Sequence, residues 1–303
     1  MSSAEPSGVL IVNKHSGVTS HDIVGKVRRL YHTRRVGHTG TLDPMASGVL
    51  VVLVGRAAKA SEYLTSHDKR YLATLRLGVV TDTEDSTGTV LSSTDACPSF
   101  EEVKQAASAF LGAYDQIPPM YSALKVDGKK LCDMARRGEE IERKARRVYV
   151  HELDVTPTES ERDYRLSVHC SSGTYVRTLC ADIGQRLGVG GIMASLVRTA
   201  VADFSLEQAV SIAELETMSD DERLSRLIPT EALFASLPAL SLPTFYETLC
   251  RNGCEIYQKK LGSAFGEGQR VRLYGKNGFF ALGEVRSYPD GSAIKAVKQF
   301  DLP

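Results

Sequence analysis

Apolar residues along the chain follow two rhythms, and the switches between them divide it into elements. "GVLIVNK" (residues 8–14) reads as a short buried strand. "GVLVVLVG" (48–55) is apolar throughout its interior, as a central strand covered on both faces requires. "YLATLRLG" (71–78) alternates instead, with Tyr71, Ala73, Leu75 and Leu77 on one face and Thr74 and Arg76 on the other. "YRLSVHCSS" (164–172) alternates likewise. In "SHDIVGKVRRLY", Ile23, Val24, Val27 and Leu30 make a helical stripe with Ser20 as the N-cap, leaving Arg28 and Arg29 outside it. "SFEEVKQAASAFLG" (99–112) predicts a second helix with a Ser99–Glu102 capping box and Gly112 at its close. A third follows in "GTYVRTLCADIGQRLG", where Val176, Leu179, Cys180, Ile183 and Leu187 share a stripe. Pro118 and Pro119 exclude a helix or central strand, so a loop begins there, followed by a short amphipathic helix around "KKLCDMARRG".

Near residue 235 the texture changes. "SLPALSLPTF" is linker-like, and three β candidates follow it: "QRVRLYG", "FFALGEVRSY" and "AIKAVKQF". "GKNG" between the first two is a hairpin signal. These patterns predict an α+β domain over residues 1–234 and a small β-rich domain over 235–303.

Composition narrows the function classes. The 303 residues are 42% apolar, enough for a substantial core, and no apolar run approaches the length of a membrane-spanning helix. "MSSAEPSG" lacks the charged and apolar regions of a secretory leader. Six scattered cysteines fit reduced thiols and a cytoplasmic protein. Cys250 and Cys254 have no second ligand pair at zinc spacing, so no metal is expected from them. Basic and acidic residues balance at 37 each, but residues 25–36 hold five Lys/Arg and no acid, and 125–147 are basic on balance. Such segments suit a polyanion-binding face or a pair of solvated helix faces, and charge alone does not choose.

"GHTGTLDPMASG" (37–48) raises the chemical question. By itself Asp43 before Pro44 reads as an Asx-turn or helix cap. In its longer context, "GHTGTLDPMASGVLVVLVGRAAK" resembles the signature motif of the TruB family of tRNA pseudouridine synthases. The resemblance continues through residues 69–88, 117–146 and 170–191 in the family's order and spacing. It implies a mixed, largely antiparallel catalytic sheet with flanking helices and a PUA-like C-terminal domain. It also implies a cofactor-free isomerase that converts uridine 55 in the T loop of tRNA to pseudouridine, acting as a monomer with no obligate protein partner.

The site residues implied by that resemblance have physical sense. Breaking a glycosidic bond builds positive charge at C1′, and a carboxylate can stabilise that charge, attack it, or remove a sugar proton. Asp43 is the matching residue, and Arg177 matches the arginine that keeps it ionised. By pattern alone Arg177 would be a solvent-facing helix residue. Tyr71 matches the base-stacking tyrosine; an unperturbed phenol titrates near 10, which makes a poor base at neutral pH. His38 matches the residue that fills the space of the flipped base, and Leu196 the one packing on the uracil. Asp85 lies in a motif bordering the pocket, though a turn aspartate is the simpler account of it.

Phosphate contacts are assigned to Lys14, Arg28, Arg29, Arg34 and Arg35, and to Lys125, Lys129, Lys130, Arg136 and Arg137 in a thumb-like segment over 117–148. His15 and Ser47 depart from the family's usual proline and threonine, both beside the chemistry rather than in it. Three other readings are weaker. A pure RNA-binding protein would not need Asp43. An aspartate-nucleophile phosphatase would want an acid where Met45 stands. A guide-RNA-dependent relative fits the compact C-terminal module less well.

Overall fold

The computed structural model describes residues 5–64, 67–122, 124–126, 128–139 and 141–300. The side chains of Lys125 and Lys130 lie outside the described residues. Strand Ser47–Val54 explains why its sequence is apolar on both faces. Leu50, Val52 and Val54 join Leu10 and Val12 against Ile23, Val24 and Val27 of helix Ser20–Leu30. Val49, Val51 and Leu53 join Val9 and Ile11 in a second cluster with Ala57 and Leu64.

Among the described residues this strand belongs to a nine-stranded mixed sheet. Its path runs Gly8–Lys14, Ser47–Val54, Gly191–Val201, Lys69–Leu77, Asp163–Cys170, Arg146–Pro157 and Gly112–Gln116, with Val36–His38 and Phe204–Ser205 on short side branches. Every pairing is antiparallel except that of Gly191–Val201 with Ser47–Val54. Helix Val176–Arg186 covers the centre, packing Leu179, Cys180 and Ile183 on Ala73, Leu75, Leu77 and Met193.

A five-stranded sheet forms the C-terminal part, in the order Ala239–Ser241, Arg270–Gly275, Gly278–Tyr288, Gly291–Gln299 and Ile256–Tyr257. Phe234, Leu282 and Phe300 pack on Ala60 and join it to the larger part. Lys59 Nζ donates to the Gln299 carbonyl at 3.0 Å across the same junction. Among the described residues, no helix is long and apolar enough to cross a membrane.

Local readings change in three places. The N-cap of the first helix is Thr19, which forms a capping box with Asp22, and Ser20 is its first helical residue. The second helix, capped by Ser99 and Glu102 as expected, ends at Ser108; Gly112 instead opens a strand with φ of 83°. The segment read as a linker holds an edge strand, Ala239–Ser241, and helix Thr244–Arg251, with Pro243 at the helix N-cap where a missing N–H costs nothing.

Candidate active site

Asp43 stands in the loop between strands Val36–His38 and Ser47–Val54, and buried groups hold that loop from three sides. Ser20 Oγ accepts the Leu42 amide at 2.9 Å and donates to the Leu42 carbonyl at 3.1 Å. Lys14 Nζ donates to the carbonyls of Val18, His15 and Pro44, at 2.8, 3.1 and 3.3 Å. Arg198 donates from Nε to Val49 O at 2.7 Å, from Nη2 to Gly40 O at 3.0 Å and from Nη1 to Thr41 O at 3.4 Å. Arg198 stands beside Gly48, whose φ is 107°; a Cβ there would lie 2.2 Å from the Arg198 carbonyl oxygen. Glycine is therefore what lets the two parallel strands approach behind the loop.

The loop presents Asp43 to a cavity of about 310 Å³, the small end of ligand-site sizes. Tyr71, Val176, Met193 and Leu196 give it apolar walls, and Lys69, Tyr121, Ser122, Thr174, Arg177 and Arg198 contribute polar groups. Arg177 is 5% exposed, and its Nη2 lies 3.1 Å from Asp43 Oδ2 and 3.3 Å from Oδ1. The same nitrogen donates to Tyr121 O at 2.9 Å, so the guanidinium also ties the segment after the paired prolines to the site. At the base of that segment, Gln116 exchanges hydrogen bonds with Tyr175 at 2.8 and 3.0 Å.

Charge around Asp43 is balanced between opposing effects. Burial pushes its carboxyl above the usual carboxylate range and outweighs Arg177, the largest effect in the other direction. Asp85 adds to the rise, while Lys14 and Arg198 oppose it. The same burial lowers Lys14 and Lys69 to about 8, with Arg198 contributing to both. Tyr71, 7% exposed, is pushed above its ordinary value by burial, which disfavours the phenolate. Ser122 Oγ is buried with no hydrogen-bond partner among the described residues, leaving a hydroxyl beside the cavity for a polar edge.

The structure gathers Asp43, Tyr71, Arg177 and Leu196 around one cavity. His38 lies outside its lining, next to Thr39, with Nδ1 3.3 Å from the Gly40 amide nitrogen and its ring edge-on to His21. Two further residues lie off the lining. Lys14 has no exposed surface and its ammonium is taken up by three carbonyls, so it anchors the Asp43 loop and does not reach a phosphate. Asp85 is also absent from the lining: its Oδ1 accepts from Thr83 Oγ1, Thr87 N and Thr87 Oγ1 within its own turn. Arg28, Arg29, Arg34, Arg35 and Lys129 are exposed, though Arg28 donates to Val36 O and Arg35 pairs with Glu5 at 3.1 Å. Lys69, Ser122 and Arg198 escape the sequence reading, and Ser20 enters it only as a helix cap, because only tertiary packing turns these polar residues inward.

Known proteins resemble this chain along most of its length. The family model for "TruB family pseudouridylate synthase (N terminal domain)" matches residues 28–176, and that for "tRNA pseudouridylate synthase B C-terminal domain" matches 177–235. A tRNA pseudouridine synthase B from Alkaliphilus oremlandii is 42% identical over 283 residues, covering 93% of this chain and 94% of its own. Its counterpart from Aromatoleum aromaticum is 41% identical over 292 residues, covering 96% and 92%. Among solved structures, a chain in "Crystal Structure of a Cbf5-Nop10-Gar1 Complex" superposes with a TM-score of 0.71 at 24% identity, over 97% of this chain and 85% of that one, a likeness of fold. The chain belongs to the TruB family of tRNA pseudouridine synthases, which are isomerases.

Proposed function

We propose that this protein isomerises uridine 55 in the T loop of tRNA, with Asp43 as the group that acts at C1′. The N1–C1′ bond breaks, the base turns within the cavity, C5 bonds to C1′, and the C5 proton leaves as N1 gains one. Atoms and electrons balance without a redox partner or cofactor. The observation that carries this reading is a half-buried carboxylate, backed by a buried guanidinium at 3.1 Å, on a small cavity with aromatic and apolar walls. Tyr71 is assigned to stacking on the uracil and Leu196 to packing beside it, and His38 to the space the base leaves.

Residues 117–148 are assigned as a thumb over the T loop and 235–303 as a PUA-like RNA-binding domain, with residues 1–234 catalytic. The exposed arginines and Lys129, with Lys125 and Lys130, supply phosphate contacts, and the enzyme acts as a monomer in the cytoplasm. The test is to incubate the protein with an unmodified tRNA transcript and map pseudouridine by chemical probing. Signal at the T-loop position is expected from the natural chain and none from Asp43→Asn, whose tRNA affinity stays within a few-fold. Conversion by Asp43→Asn would overturn the assignment.

A further inference from the structure

On the outer face of the large sheet, behind the cavity, three possible metal ligands converge from two strands and from the residue that precedes a third. Strand Arg146–Pro157 shifts register against Asp163–Cys170 between Val150 and Glu152, leaving His151 as an extra residue opposite His169. Such a shift bends the strand and re-aims side chains. The His151 and His169 rings lie 4.7 Å apart, and Asp68, just before strand Lys69–Leu77, places Oδ2 3.0 Å from His151 Nε2. One ligand atom from each of Asp68, His151 and His169 falls within 4.8 Å of the others.

We propose that these three residues form a binding site for a divalent first-row transition ion, with Zn²⁺ as the representative. Two imidazoles and a carboxylate select such an ion over Mg²⁺ or Ca²⁺, which prefer oxygen-only shells. Tetrahedral zinc at its usual bond lengths needs ligand atoms about 3.3 Å apart. The Asp68–His151 separation is close to that, and the 4.8 Å limit leaves only a modest side-chain adjustment for the third ligand. All three side chains keep 22–45% of their surface, so a water can complete the shell.

A carboxylate backs one of the imidazoles. Glu152 Oε1 lies 3.3 Å from His169 Nδ1, and a carboxylate on a histidine orients the ring and raises its basicity. Arg70 holds Glu152 in turn through contacts of 2.8 and 3.2 Å. A bound ion would clamp three strands together beside Lys69 and Tyr71, which face the cavity from the opposite side of their strand. Spacing in the sequence conceals the site because its ligands meet only across the sheet.

The experiment uses untagged full-length protein freed of metal by chelation. Zn²⁺ is titrated against a chromophoric competitor, Co²⁺ reports ligand type by absorbance, and thermal denaturation is followed with and without Zn²⁺. Stoichiometric binding and a raised midpoint are expected. Losing an outer-shell partner alone costs about 10–100-fold in affinity, so His169→Gln and Asp68→Asn should each weaken binding at least tenfold. Pseudouridine formation should persist in both variants, which shows that they fold. Among the described residues, exposed Cys97 and Cys254 are the rival thiol ligands. A thiolate charge-transfer band with Co²⁺, affinity surviving both variants, or no saturable binding would overturn the site.

Discussion

Ser20 and Leu42, 22 residues apart, exchange two hydrogen bonds through one hydroxyl, at 2.9 Å from the Leu42 amide and 3.1 Å to its carbonyl. The next residue is Asp43, so the first turn of the first helix helps determine where the carboxylate stands. Ser20→Ala strips both buried backbone groups of their partner, at a cost of about 1–3 kcal/mol for each group left unsatisfied. Denaturant unfolding should show the loss of stability. Steady-state kinetics should show kcat falling more than KM rises, since loop position matters most when the glycosidic bond breaks. A destabilised variant with full kcat would reduce the contact to a structural tie.

The balance at Asp43 makes a pH prediction. In the proposed reaction its carboxyl must be ionised to act at C1′, and burial raises its pKa above the ordinary 3.8. Activity is therefore lost as pH falls through that raised value, and the acid limb of kcat/KM should lie above 3.8. Arg177 is the strongest influence holding the pKa down, so Arg177→Gln should move the limb to still higher pH while lowering the plateau. An unmoved limb would mean that the group titrating there is not Asp43.

Salt separates anchoring cations from RNA-binding ones. A lost phosphate contact reduces the slope of log affinity against log salt by about 0.7–0.9. Arg34→Gln and Arg35→Gln, at exposed positions, should lower the slope for tRNA binding by roughly that much each. Lys14→Gln should leave the slope unchanged and reduce kcat, because its ammonium is buried on the carbonyls of Val18, His15 and Pro44. Filter binding over a salt series tests all three variants, and a shallower slope for Lys14→Gln would restore it as a phosphate contact.

What the sequence disclosed follows from what local pattern encodes. Elements whose apolar rhythm meets one packing partner, such as Lys69–Leu77 and Val176–Arg186, are legible because burial acts directly on their period. Gly191–Val201 is not, although it sits between the strand that follows Asp43 and the strand that carries Tyr71. It holds buried Arg198 where the pattern wants an apolar residue, and its register shifts twice against Lys69–Leu77. The separate motifs containing Asp43 and Arg177 were legible through family resemblance. The supports at Ser20, Lys14 and Arg198 were hidden because a polar residue does not announce that it will be buried, and only distant carbonyls make their burial favourable.

Two glycines in one half of the molecule should respond to alanine in opposite directions. Gly48 has φ of 107°, and an added Cβ would meet the backbone of Arg198 at 2.2–2.9 Å. That backbone pairs with Gly48 on one side and Tyr71 on the other, and the Arg198 side chain is tied to Val49, so it has no direction in which to yield. Gly48→Ala should lose at least about 3 kcal/mol, from left-handed strain and the clash together. Gly25 lies inside helix Ser20–Leu30, and an added Cβ there would meet nothing within 4 Å. Gly25→Ala should gain about 0.4–1 kcal/mol by restricting the unfolded chain. Chemical denaturation of both variants checks the pair. A Gly48→Ala protein as stable as the natural one would mean that the two parallel strands do not approach as closely as the geometry behind Asp43 requires.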